Sequence, residues 1–275
     1  MNPVPAPGRG GLEIDLVSGQ SAVVSAWASN PLKLLLPRSR GPSVWAYLSS
    51  FGGGFVAGDE TSLGLRLGPQ ARAFVTTQAS TKIYRNPNLR PCGHRLKANL
   101  ETGSLLVLAP EPIQAFAGSI YTQRQEFRLQ PGAGLILLDW FCSGRAACGE
   151  RWAFTRLQSS NELFINGERI LVDSILLDPA DGPLDNAHRL GRFNCLAAIV
   201  VAGSALAEKA ARLLADVTAQ PVTRRASLIV TASPTHDGVL LRLAGERVED
   251  VGREIHQRLG FVSEILDDEP WARKW

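Results

Sequence analysis

Four acids, Asp59, Glu111, Asp139 and Asp173, follow glycine-rich or strand-like stretches. Oxygen ligands of this kind bind a divalent ion weakly and release it, unlike a closed set of His and Cys. Asp59 ends the run Gly52-Gly53-Gly54-Phe55-Val56-Ala57-Gly58-Asp59. Gly53 and Gly58 have the spacing of a phosphate-binding loop, but Asp59 stands where that motif needs lysine and would repel a phosphate. A dinucleotide fingerprint fails too, since Ala57 replaces the last glycine and no helix pattern follows. The glycines on their own suit a tight, bulged strand connection. A carboxylate beside exposed amides suits an ion or a partner's arginine. The plainer alternative for each acid is a pair with an arginine such as Arg145 or Arg151, or a cap on a turn.

Other chemistry finds little support. Thr76-Thr77-Gln78 and Lys82-Ile83-Tyr84-Arg85 supply hydroxyls and cations, but no G-x-S-x-G elbow and no His/Asp pair accompanies them. His94, His188, His236 and His256 are scattered, and Cys92-Gly93-His94 is an isolated pair of ligand types. Cys142 and Cys148, on either side of Gly144-Arg145-Ala146, read as small packed residues. The expectation is no catalytic residue, no high-affinity metal site and no tightly bound cofactor.

These residues need elements to hold them. Ser62–Leu67 alternates with leucine on one face, Ala71, Ala73 and Val75 continue after Gly68-Pro69, and Tyr121–Leu129 and Arg151–Leu157 read as half-exposed strands. Turn glycines at Gly68, Gly103, Gly132 and Gly167 recur roughly every 30 to 35 residues, as stacked rungs or a meandering sandwich would place them. After each turn an apolar run ends in polar residues: Thr76-Thr77-Gln78, Pro110-Glu111, Asp139, Asp173. If the turns stack, the acids line one side of a polar interior path. Farther on, Ser204–Thr218 and Glu246–Leu259 carry apolar residues at helical spacing, with Gly260 placed as a C-terminal cap. Strand candidates at Ser227–Thr231 and Gly238–Leu243 lie between them. The expected architecture is mainly β, a β-helix-like stack of strands with a small C-terminal α/β part containing about two helices. The divisions are a loose tail over 1–11, a β-rich body over 12–178 and a mixed part over 179–275, the last two forming one continuous domain or two.

Bulk properties exclude more than they assign. The 275 residues are 45% hydrophobic and 20% charged, with a net charge of +3, too small to argue for nucleic acid or an anionic membrane. The Pro/Gly-rich start has no apolar core of a signal peptide, and the apolar run Cys195–Ala202 is too short to span a bilayer. Four irregularly spaced cysteines suggest no disulfide framework, so a cytoplasmic location is the default.

An ordered series of blocks resembles the urease accessory protein UreD (UreH) family. It comprises Gly53-Gly54-Phe55-Val56-Ala57-Gly58-Asp59, the run Thr76–Arg85, Pro110–Gly118, Leu138-Asp139-Trp140 and Gly144–Glu150, with Pro270–Trp275 similar to the family's ending. The resemblance implies a non-enzymatic role: a maturation chaperone that joins UreF and the GTPase UreG, docks on apo-urease and assists nickel insertion. It implies a β-rich, helix-like stack and an interior route for transient Ni2+. Asp59, Asp139, Arg145 and Asp173, with Glu111, are the candidate path or interface residues. Gly53, Gly54, Gly58, Thr76, Thr77, Gln78, Lys82, Tyr84 and Arg85 carry the family motif. The rival reading is a purely structural scaffold in which the acids serve interfaces and no ion passes.

Overall fold

The computed structural model describes residues 6–38 and 41–273. Met1–Pro5 of the expected tail and the last two residues of the terminal block lie outside them.

Strands come in repeated sets. The first holds β1 (Arg9–Val17), β2 (Gln20–Ala28), β3 (Leu32–Leu35), β4 (Val44–Ser50) and β5 (Gly54–Phe55). Next come β6 (Glu60–Leu67), β7 (Arg72–Thr77) and β8 (Thr81–Ile83), then β9 (Cys92–Leu100), β10 (Leu105–Leu108) and β11 (Ile113–Ala115). The last set is β12 (Ile120–Leu129) and the long β13 (Gly134–Cys142). Corresponding strands pair in parallel. β1, β6, β9 and β12 form one wall, β4, β7, β10 and β13 a second, and β5, β8, β11 and the end of β13 a short third. This is the expected β-helix-like stack, and Gly68, Gly103 and Gly132 sit in its corners.

Gly167 does something else. Asn166 and Gly167 both have positive φ (51° and 85°), the backbone of a two-residue hairpin turn. They fold β14 (Arg156–Ile165) back on β15 (Glu168–Leu177) within the first wall, so the last interval of the recurrence is a hairpin and not a rung. The expected strand at Arg151–Leu157 begins only at Arg156, because Trp152 turns with φ 52° and lies buried with Phe154.

The second wall continues without a break through β16 (Cys195–Ala202), β18 (Gly238–Gly245) and β17 (Leu228–Thr235). The boundary at 178/179 therefore falls in a loop between strands of one architecture. Helix α1 (Ala207–Thr218) buries Ala210, Leu213 and Val217, and α2 (Val248–Arg258) buries Val251 and Ile255 against the outer face of this wall. A five-residue α3 (Val262–Leu266) completes the cover. Each fully buried Leu, Val or Ile here stabilises the fold by about 1.5–3 kcal/mol.

The expected tail also ends early, because Arg9–Gly11 open β1. A Cβ on Gly10 would lie 2.7 Å from the Leu32 side chain, and one on Gly11 would lie 2.5 Å from Trp27. These glycines let side chains close over the strand.

Candidate functional site

Parallel stacking turns sequence repeats into rows of side chains about 4.8 Å apart. One inward row of the first wall is Thr61, His94, Gln123 and Ser159. The next is Leu63, Leu96, Gln125, Asn161 and Asp173. Asp139 of β13 faces these rows from the second wall, followed in register by Ala198 and Arg242.

Asp139 is buried, 4% exposed, and its carboxylate gathers three donors. Gln123 Nε2 donates at 3.0 Å, Ser159 Oγ at 2.5 Å and Asn161 Nδ2 at 2.9 Å. Burial lifts its pKa, nearby Asp173 adds to the rise, and the three hydrogen bonds partly oppose it. Tyr121 Oη donates to Gln123 Oε1 at 3.3 Å, extending the chain of hydrogen bonds inward. Asp173 is paired with Arg242. Asn161 Oδ1 is buried with no hydrogen-bond partner, and its identity as oxygen follows from the amide's donation to Asp139.

Asp139 lines two cavities. One, of about 130 Å³, runs from Gly53 and the Thr77–Thr81 bend past Glu111, His94 and Gln123 to Asp139. The other, of about 250 Å³, is walled by Asp139, Ser159, Asn161, Asp173 and Arg242. His94 is held through Nδ1, 2.7 Å from Thr61 Oγ1, and burial lowers its pKa to about 4, so the ring is neutral at pH 7. Burial likewise pushes the Cys92 thiol up to about 12. Among the described residues no group of three or more His, Cys, Asp or Glu gathers to hold a metal. The assembled oxygens are two carboxylates and one amide, a set suited to brief rather than tight cation contact.

The candidate acids thus divide. Asp139 and Asp173 come together, and Glu111 lies on the first cavity's wall, its backbone N–H donating to Thr77 Oγ1 at 2.8 Å. Asp59 instead sits in a surface turn, where Oδ2 accepts from Val56 N at 2.9 Å, and it borders neither cavity. Arg145 is also at the surface, bonded to Glu150 (Nε to Oε2, 3.0 Å) and stacked 4.5 Å over Phe116.

Of the nine motif residues, Gly53, Thr77 and Gln78 line the first cavity. Gly53, with φ 73°, lines it, Gly54 is packed against the Lys82 carbonyl, and Gly58, with φ 88°, lies beneath Arg90. Thr76 is buried, its hydroxyl donating to the Ala109 carbonyl at 2.6 Å, while Gln78 accepts from Ser49. Lys82 and Arg85 are exposed, and Tyr84 packs edge-on against Phe116. The candidates missed Gln123, Ser159, Asn161 and Arg242. The alternation of Tyr121, Gln123, Gln125, Phe127 and Leu129 carried the signal, two amides on an otherwise apolar face.

The sequence model of the UreD urease accessory protein family matches residues 6–275. A urease accessory protein UreD of Sorangium cellulosum (strain So ce56) is 43% identical over 269 residues, covering 98% of this chain and 84% of that protein. One from Anaeromyxobacter sp. (strain Fw109-5) is 42% identical over 266 residues, covering 97% and 89%. Urease accessory protein D of Arabidopsis thaliana is 28% identical over 292 residues, covering 96% and 99%. With the family's model spanning nearly every residue, this chain belongs to the UreD urease accessory protein family.

Proposed function

We propose that this chain is a cytoplasmic, non-enzymatic chaperone that acts with UreF and the GTPase UreG on apo-urease and gives nickel a polar path to its site of insertion. The observation that carries the reading is Asp139, a buried carboxylate common to the walls of two cavities and set beside an amide oxygen that no protein donor reaches. Transit requires stations that attract a cation without trapping it, and sparse oxygen ligands meet that need. Among the described residues no helix is long and apolar enough to cross a membrane.

The test is Asp139→Asn, which keeps the shape and removes the charge. Urease co-expressed with this variant and the other accessory proteins is expected to assemble the same complexes yet contain at most about a tenth of the normal nickel, the scale on which lost ion stations lower affinity. Normal nickel content would defeat the path. A scaffold-only role is favoured by the surface positions of Asp59 and Arg145, and predicts instead that their substitution releases partners in a pull-down while Asp139→Asn does nothing.

A further inference from the structure

Asp173 is almost fully buried, yet it faces a second carboxylate, Asp139, across the larger cavity. Two acids and the unpartnered Asn161 Oδ1 would make this end of the cavity strongly acceptor-rich, and one positive charge offsets them. That charge is Arg242, whose guanidinium bonds Asp173 from β18 while 53% of its side chain remains exposed. Its neighbours in register are Ala198 and Thr231, which carry no charge that would hold it there. Arg242 is therefore anchored by one contact on the cavity side and open to solvent on the other.

Resting on the reading of this cavity as a cation route, we propose that Arg242 is a tethered surrogate cation. Its guanidinium occupies the place of a divalent ion between Asp173 and the cavity, and closes that end of the route until it swings out. No bond is made or broken; the exchange replaces one cation by another on the same carboxylate. A long, flexible side chain already half in water can leave without disturbing the walls. Leaving exposes a buried carboxylate that then requires a new positive partner, which makes displacement and ion entry one coupled event. Asn161 Oδ1, and the lone-pair position that its three donors leave on Asp139, are the remaining oxygens.

The experiment titrates the full chain with Ni2+ by calorimetry, with thermal melts of each variant as a check on folding. Arg242→Ala and Arg242→Gln are expected to bind Ni2+ about tenfold or more tightly than the parent chain, because the internal competitor is gone. Arg242→Lys, which keeps a cation, is expected to bind like the parent. Adding Asp173→Asn to Arg242→Ala is expected to cancel the gain. Unchanged or weaker binding in folded Arg242→Ala and Arg242→Gln overturns the proposal, as does a gain that survives Asp173→Asn. The route itself is tested separately by the nickel content of urease matured with Asp139→Asn. Normal urease nickel with that variant defeats the route, while the calorimetry on the isolated chain still decides whether Arg242 competes with the ion.

Discussion

In β6, β9, β12 and β14 of the first wall, the two halves of the strand have different interiors. Where these strands begin, one inward row is Thr61, His94, Gln123 and Ser159, the next sets Gln125 and Asn161 beside Leu63 and Leu96, and cavities open between the walls. Toward their ends, the rows are Leu65, Ala98, Phe127 and Leu163, then Leu67, Leu100, Leu129 and Ile165, packed into one apolar cluster. The same backbone ladder runs through both halves. The difference is side-chain chemistry alone, and it teaches that apolar packing and the proposed polar route are segregated along the strand. The apolar half holds the stack closed, so the polar half can tolerate open volume, a buried acid and an unsatisfied amide. Close packing forbids both in one place.

The largest effect expected from breaking this division is in the apolar half. Phe127 is fully buried in the apolar cluster that holds leucines of both walls. Phe127→Ala should destabilise the chain by about 3–5 kcal/mol, through lost transfer energy and the cavity left behind. Chemical unfolding followed by circular dichroism measures it. A loss below about 1 kcal/mol would mean that the polar half also holds the walls together.

Much of this division was legible in the sequence. Leu63, Leu65 and Leu67 announced an inward face, and the glycine recurrence announced the rungs, because a tight corner needs the same backbone each time it is built. Two things were not legible from spacing alone. The Asn166-Gly167 turn has nearly the same interval as a rung corner, and only its paired positive φ values distinguish a hairpin. That hairpin brings Asp173 to face Asp139 from the opposite wall, and no periodicity reports such a meeting. Arg242 lies 69 residues from Asp173 and meets it only because β18 extends the second wall. Asp59 illustrates the converse: it stands in the most diagnostic block and yet caps a turn, since family motifs mark folding constraints as readily as chemistry.

The polar half should show itself in opposite pH slopes. His94 has a folded pKa lowered to about 4 from an ordinary 6.5, so its neutral ring contributes stability above 6.5 that is lost as pH falls through about 4. His94→Gln should therefore flatten the acid limb of the stability profile across that window. Asp139 has a raised folded pKa, so its contribution is favourable below the ordinary 3.8 and is lost as pH rises through the folded value. Relative to the parent chain, Asp139→Asn should gain stability as pH rises through the folded value. Urea midpoints at several pH values read both slopes. Parallel profiles for parent and variants would show that neither group is held away from water.

The smallest effect belongs to Asp59, which lies outside both interiors. Its carboxylate accepts one backbone hydrogen bond from Val56, and its main-chain carbonyl accepts from Gly93 whatever the side chain is. Asp59→Ala removes only the first contact, so the expected loss is about 0.5–1.5 kcal/mol, the net worth of one hydrogen bond. The pH profile should keep both slopes, because neither His94 nor Asp139 touches this turn. A stability loss of this size with impaired urease maturation would assign Asp59 to a docking surface, since the cavities would be intact. A lost slope would instead connect the turn to the polar interior, and the boundary between surface and path would have to be drawn one strand farther out, at Thr61.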